Sequence, residues 1–132
     1  MIIARYFAFW FVLAAIAIAN GTLRQFVYGP WLSELGAHQL STFTGIVFTG
    51  LAAAALHRRH PIPTLRQAAA IGAAWLAMTI AFEFGFGHYV AGHSWQALMA
   101  DYDLSAGRVW SLFLLWVAAL PMLLRARHGN RA

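Results

Sequence analysis

Apolar positions fall into long, nearly unbroken runs, with no strand-like alternation anywhere in the chain. The first run, from about Ala4 to Leu23, is apolar up to Asn20. About 20 apolar residues span a hydrocarbon core of about 30 Å when helical. Gly29-Pro30 breaks the pattern, and a second helix is predicted from about Ser33 to Leu56. Pro61 and Pro63 end it in a short basic loop. A third helix starts near Thr64, a side chain suited to capping, and continues to about His88, where Gly85, Gly87 and Gly92 loosen its end. From Ser94 to Tyr102 the pattern suits a short helix with Trp95, Leu98, Met99 and Tyr102 on one face, of the kind that lies at a membrane interface. A fourth long helix follows from about Ser105 to Leu124. The pattern therefore predicts one all-α domain over residues 1–132, an integral membrane four-helix bundle. Its spans lie at about 4–23, 33–56, 64–88 and 105–124, with the short interfacial helix between helices 3 and 4.

Composition supports lipid as the surrounding solvent. Charged residues make up 10% of the chain, against about 25% in a soluble domain, too few to cover a water-facing surface. Ala17-Ile18-Ala19 resembles a signal-peptide cleavage site; the first segment is nevertheless expected to remain as a span. The net charge of +5 comes from arginine alone. Because the arginines flank apolar runs, they point to membrane orientation and not to nucleic acid. Arg5, Arg58, Arg59, Arg66, Arg125, Arg127 and Arg131 fall on one side of an even number of spans, and Arg24 and Arg108 on the other. The arginine-rich side is expected to be cytoplasmic, with both termini there. The four acids, Glu34, Glu83, Asp101 and Asp103, fall toward the outer side. With no cysteine, disulfides, thiolate metal sites and cysteine nucleophiles are excluded.

Helices in a bilayer associate through close packing and polar contacts. Helix 2 carries Ala37, Ser41, Gly45, Thr49 and Ala53 at four-residue spacing, and helix 3 carries Ala69, Ala73, Ala77, Ala81 and Gly85. Each set forms one stripe. The short connecting loop makes the two helices antiparallel, so the stripes are expected to face each other, with a contact to another subunit as the alternative. Helix 4, bulky at Trp110, Phe113, Leu114, Trp116 and Val117, reads as an outer surface. So small a bundle also suggests a homo-oligomer.

Polar groups inside a bilayer are costly and usually face an interior or a wet cavity. The candidates are Asn20 and Arg24 on helix 1, His38 on helix 2 beside Glu34, Gln39 and Thr42, Glu83 on helix 3, and Arg108 before helix 4. His88 and His93 stand near the mouth of this cluster. Counted from Arg66 at about 1.5 Å per residue, Glu83 lies roughly 25 Å across the membrane. A carboxylate there needs a proton or a partner, and Arg24 and Arg108 are the expected partners. Arg24 could instead snorkel to the headgroups, and Glu83 could form an ion pair that only pins the bundle. His88, His93, Asp101 and Asp103 match no zinc signature, and a haem between His38 and His88 has no second ligand pair at the other end. No cofactor is predicted. Ser94 beside His93 lacks the nucleophile elbow of a serine hydrolase, and Gly85-Phe86-Gly87 has no following lysine to make a phosphate loop. No catalytic residue is assigned.

The segments Asn20-Gly21-Thr22-Leu23-Arg24, Ala37-His38-Gln39-Leu40-Ser41, Glu83-Phe84-Gly85-Phe86-Gly87-His88, Ser94-Trp95 and Gly107-Arg108-Val109-Trp110 resemble those of a family of small bacterial membrane proteins. The likeness covers most of the chain. It implies a four-helix protein of the bacterial inner membrane and carries no activity with it.

The leading expectation is binding or translocation of a small polar or anionic species at the outer cluster, with Arg24 and Arg108 supplying charge and Glu83 or His38 exchanging a proton. A membrane enzyme acting on a lipid-like substrate, with Glu83 or His38 as general base, is the second expectation. A structural or accessory subunit is the third. Below Asn20 and Glu83 the helices are apolar except for Thr42, Thr44, Thr49 and Thr79, which weakens the case for translocation.

Overall fold

The computed structural model describes residues 2–100 and 110–131, with the side chains of Trp110 and residues 128–131 left aside. Arg108, Asp101, Asp103 and Tyr102 thus lie outside the described residues. The described residues form helices joined by short irregular segments, with no strand among them. Helix α1 runs Ile2–Leu23 and continues through a wide π-helical turn, Arg24–Tyr28, and a tight turn, Gly29–Trp31. Helix α2 is Glu34–Arg59, α3 is Leu65–Gly85 with a second π-helical turn over Phe86–Val90, α4 is Trp95–Ala100 and α5 is Trp110–Arg131. Three stretches are long and apolar enough to cross a membrane: Ile2–Trp31, Glu34–Arg59 and Leu65–Val90. The fourth expected span begins outside the described residues. Its described part, α5, ends with Arg125, Arg127 and Arg131.

Local chemistry sets the helix starts. Ser33 accepts the Gly36 amide at 3.0 Å, Thr64 accepts the Gln67 amide at 3.1 Å, and Ser94 accepts the Ala97 amide at 3.1 Å. Each side chain satisfies one of the amides left over at a helix N-terminus. Gly92, with φ of 79°, turns the chain back between α3 and α4, a conformation that glycine adopts without steric cost.

Arg5 and Tyr6 of α1, Arg125 of α5 and the α2–α3 loop meet at one end of the packed helices. The Tyr6 hydroxyl donates to the His60 carbonyl at 2.7 Å, Arg5 donates to His60 Nε2 at 2.9 Å, and Arg125 Nε donates to the Pro63 carbonyl at 3.1 Å. This is termed the Arg5 end, and the opposite one the Arg24 end. Trp75 Nε1 donates to the Tyr6 carbonyl at 2.8 Å, and Trp10 Nε1 donates to Thr79 Oγ1 at 3.0 Å. Both pairs are 69 residues apart, so α1 and α3 run parallel in constant register.

The small-residue stripe of α2 is buried along its length, at Ala37, Ser41, Gly45, Thr49 and Ala53. Its partners are α1 and α5, in place of the expected α3. A β-carbon on Gly45 would stand 3.3 Å from both Asn20 Nδ2 and the Phe113 ring, and one on Gly50 would stand 2.8 Å from the Trp116 ring. The stripe of α3 turns outward: Ala69, Ala73, Ala77 and Ala81 are exposed. Its buried face is Ala68, Ile71, Gly72 and Trp75, and this packs chiefly on α5. Consequently α5 is no outer surface: Phe113, Leu114, Val117 and Leu120 are buried. A spacing of four shows which residues share a face, and which neighbour covers that face depends on the order of helices around the bundle.

The two stripes should therefore respond differently to bulk. Gly45→Leu forces a side chain against Asn20 and Phe113 and should cost about 1–3 kcal/mol. Ala77→Leu, on an exposed position, should stay within about 0.5 kcal/mol. Thermal midpoints in detergent read both, and equal losses would contradict the packing described.

Candidate functional site

Between α1, α2, α3 and α5 lies a cavity of about 280 Å³. Five residues singled out by sequence line it together: Asn20, Arg24, His38, Glu83 and His93. Along α1 the lining runs from Trp10 to Arg24, and along α2 from Leu35 to Thr49. Each stretch rises about 21 Å, so the cavity reaches far into the bundle. Arg24 and His38 also border a shallower, more open groove with Gln25, Gly29, Glu34 and Ala37. They therefore mark the mouth.

Asn20 clamps α1 to α2. Its Nδ2 donates to the Ser41 carbonyl at 2.8 Å and to Ser41 Oγ at 3.1 Å, and its Oδ1 accepts from the Thr44 hydroxyl at 2.8 Å. Ser41 Oγ also accepts from an Arg24 terminal nitrogen at 3.2 Å. A guanidinium has five N–H donors, so this contact orients Arg24 while using one of them. Ser41 is the residue that the search for charge and imidazole missed. Its place in the buried stripe, level with Asn20, was its signal.

The helix register decides where Glu83 sits. At an offset of 69 it falls level with Ala14, ten residues short of Arg24, or about 15 Å along α1. That is the offset of the backbones; the Arg24 guanidinium reaches toward Glu83 as far as Ser41, level with Asn20, about one turn of helix. The described hydrogen bond of Arg24 goes to Ser41. Pairing with Arg108 falls outside the described residues. Glu83 is thus a group deep in the cavity, beside Phe82 and Thr79, while Arg24 belongs to the mouth.

His93 lines the cavity and His88 does not. Instead, His88 stacks on Trp95, with ring centroids 3.7 Å apart and planes at 12°. Its Nδ1 lies 2.9 Å from the His93 carbonyl oxygen. A carbonyl can only accept, so Nδ1 carries the proton. The His93 amide donates to the Gly87 carbonyl at 2.8 Å, and Leu98 closes over Gly87, where a β-carbon would stand 2.7 Å from Leu98 Cδ2. His88, Trp95 and Leu98 thereby hold the turn that delivers His93 to the cavity. Among the described residues no group of three His, Asp or Glu side chains is placed to hold a metal ion.

The floor is aromatic. Trp10 lies across it, bonded to Thr79 and in edge contact with Phe82 at 5.9 Å. Below it, fully buried Tyr6 and Trp75 pack with centroids 6.2 Å apart. Trp116 Nε1 reaches Thr49 Oγ1 at 3.3 Å from the α5 side. Toward the Arg5 end the lining of the cavity stops at Trp10, Thr49 and Thr79.

No protein-family model, curated protein or solved structure matches the chain.

Proposed function

We propose that this protein sits in a membrane as a multi-pass bundle and binds a small polar or anionic species in the cavity. The observation behind this reading is the convergence of Asn20, Arg24, His38, Glu83 and His93, from four separate chain segments, on one cavity. The arginine at the mouth supplies charge-assisted donors for an oxyanion. The imidazole of His38 stands beside it, and Glu83 offers a second ionisable group further in. The aromatic floor favours binding over passage. By the arginine asymmetry the Arg5 end faces the cytoplasm, in a bacterial inner membrane, so the mouth opens outward. A reporter fused after Ala132 should read cytoplasmic and one inserted near Asp101 periplasmic; the reverse pattern would overturn the orientation.

Titration of the purified chain with inorganic phosphate tests the anion site. Hydrogen bonds to a charged group contribute about 1.5–3 kcal/mol, so Arg24→Gln should weaken binding roughly 10- to 150-fold. Glu83→Gln should alter binding or stability more than Asp103→Asn, which the sequence places in the outer loop. Phosphate binding that is equally strong in Arg24→Gln, or absent from the wild type at millimolar concentration, would remove the support for this reading.

A further inference from the structure

We infer that the ligand is a single-chain amphiphile, with an anionic head at Arg24 and His38 and an aliphatic chain running down the cavity. This inference rests on the anion site proposed above and names its substrate class.

The reason lies in the hydrogen bonds of the cavity wall below the mouth. The Thr42, Thr49 and Thr79 hydroxyls donate to carbonyls of their own helices, those of His38 at 2.9 Å, Gly45 at 2.6 Å and Trp75 at 2.7 Å. The indole N–H groups of Trp10 and Trp116 are in turn directed at Thr79 and Thr49. Three hydroxyls and two indoles thus satisfy one another or the backbone. The residues that made the lower wall look polar in the sequence offer a ligand methyl groups and ring faces. Leu13, Ala14, Ala17, Phe113 and Val117 add apolar surface to that wall, and Glu83 is its ionisable member. A fully hydrated ion would lose its water there without replacement donors, whereas a hydrocarbon chain would leave water for an apolar lining.

Shape agrees with this chemistry. A lining about 21 Å long by helix rise around about 280 Å³ describes a narrow slot and not a rounded pocket. The described ties between α1 and α3, Tyr6–Trp75, Trp10–Thr79 and Trp10–Phe82, all lie toward the floor. Ile18 on α1 and Phe82, lower down on α3, line the cavity while remaining 56% and 36% exposed. They flank the side on which a chain could enter from surrounding lipid. Small side chains at Ala14 and Ala17 leave the space that the chain would fill.

The test compares three probes on the purified full chain: decyl phosphate, inorganic phosphate and decyl maltoside. Decyl phosphate should bind at least about 100-fold more tightly than inorganic phosphate, since each buried methylene contributes roughly fourfold. Decyl maltoside should not compete. Shortening the chain to hexyl and butyl phosphate should lower affinity stepwise. Ala17→Phe, which fills the slot, should weaken decyl phosphate at least about tenfold and leave inorganic phosphate unchanged. Ala14→Met provides a second filling variant, and a thermal melt shows which variants fold. Equal affinity for decyl and inorganic phosphate, both sensitive to Arg24→Gln, would overturn the amphiphile and leave the anion site standing. Competition by decyl maltoside as strong as by decyl phosphate would overturn the anionic head. Failure of both phosphates to bind in an Arg24-dependent way would overturn this inference together with the function on which it rests.

Discussion

Gly72→Leu should be among the most destabilising single substitutions in the chain. A β-carbon at Gly72 would run into the carbonyl oxygen and carbon of Ala118 on α5. The obstacle is backbone, so no rotamer change can relieve it, and the whole of α5 must move. Overpacking a core costs about 1–3 kcal/mol, occasionally more, and this position belongs at the upper end. Gly72→Ala should already show part of the loss. Gly85→Ala is the control: its surroundings are open within 4 Å, its φ is −65°, and alanine favours a helix over glycine by about 1 kcal/mol. Thermal midpoints in detergent should therefore fall for Gly72→Leu and hold or rise for Gly85→Ala. A Gly72→Leu protein melting with the wild type would contradict the close α3–α5 crossing.

Removing Trp75 should have an effect of similar size by the opposite route. The indole is fully buried, stacks obliquely on Tyr6, and donates to the Tyr6 carbonyl at 2.8 Å. Truncating a buried aromatic to alanine costs about 3–5 kcal/mol, because the surroundings collapse only partly into the void. Trp75→Phe keeps one six-membered ring but loses the fused pyrrole and its hydrogen bond, so its cost should be smaller, about 1–3 kcal/mol. The same truncation removes the layer under Trp10, and the cavity floor should loosen with it. Trp75→Ala and Trp75→Phe with equal midpoints would show that volume at this position is unimportant, against the packing seen.

Much of the helix framework was legible in the residues. Long apolar runs, the proline pair Pro61 and Pro63, and the capping side chains Ser33 and Thr64 act over a few residues, so a sequence carries them directly. The polar cluster at the Arg24 end was legible too, because ionisable groups inside apolar helices are rare enough to stand out. Asn20, Arg24, His38, Glu83 and His93 do share one cavity. His88 does not: its ring serves the turn beneath His93, a role set by Trp95, a neighbour seven residues away that spacing alone did not pair with it.

What the residues alone determined is the set of helices, the buried stripe of α2 and the identity of the polar groups, all consequences of local propensity and of one helix's periodicity. Tertiary structure decided the rest. The α2 stripe meets α1 and α5, the alanine stripe of α3 faces outward, and the backbone of Glu83 stands about 15 Å below that of Arg24 by helix rise. These outcomes depend on which helices are neighbours and in what register, and that is a competition among several faces of similar apolarity. It is settled by a few close approaches, Gly72 on Ala118 and Trp75 on Tyr6 among them. Each approach joins positions at least 46 residues apart, a distance over which no helical period carries information.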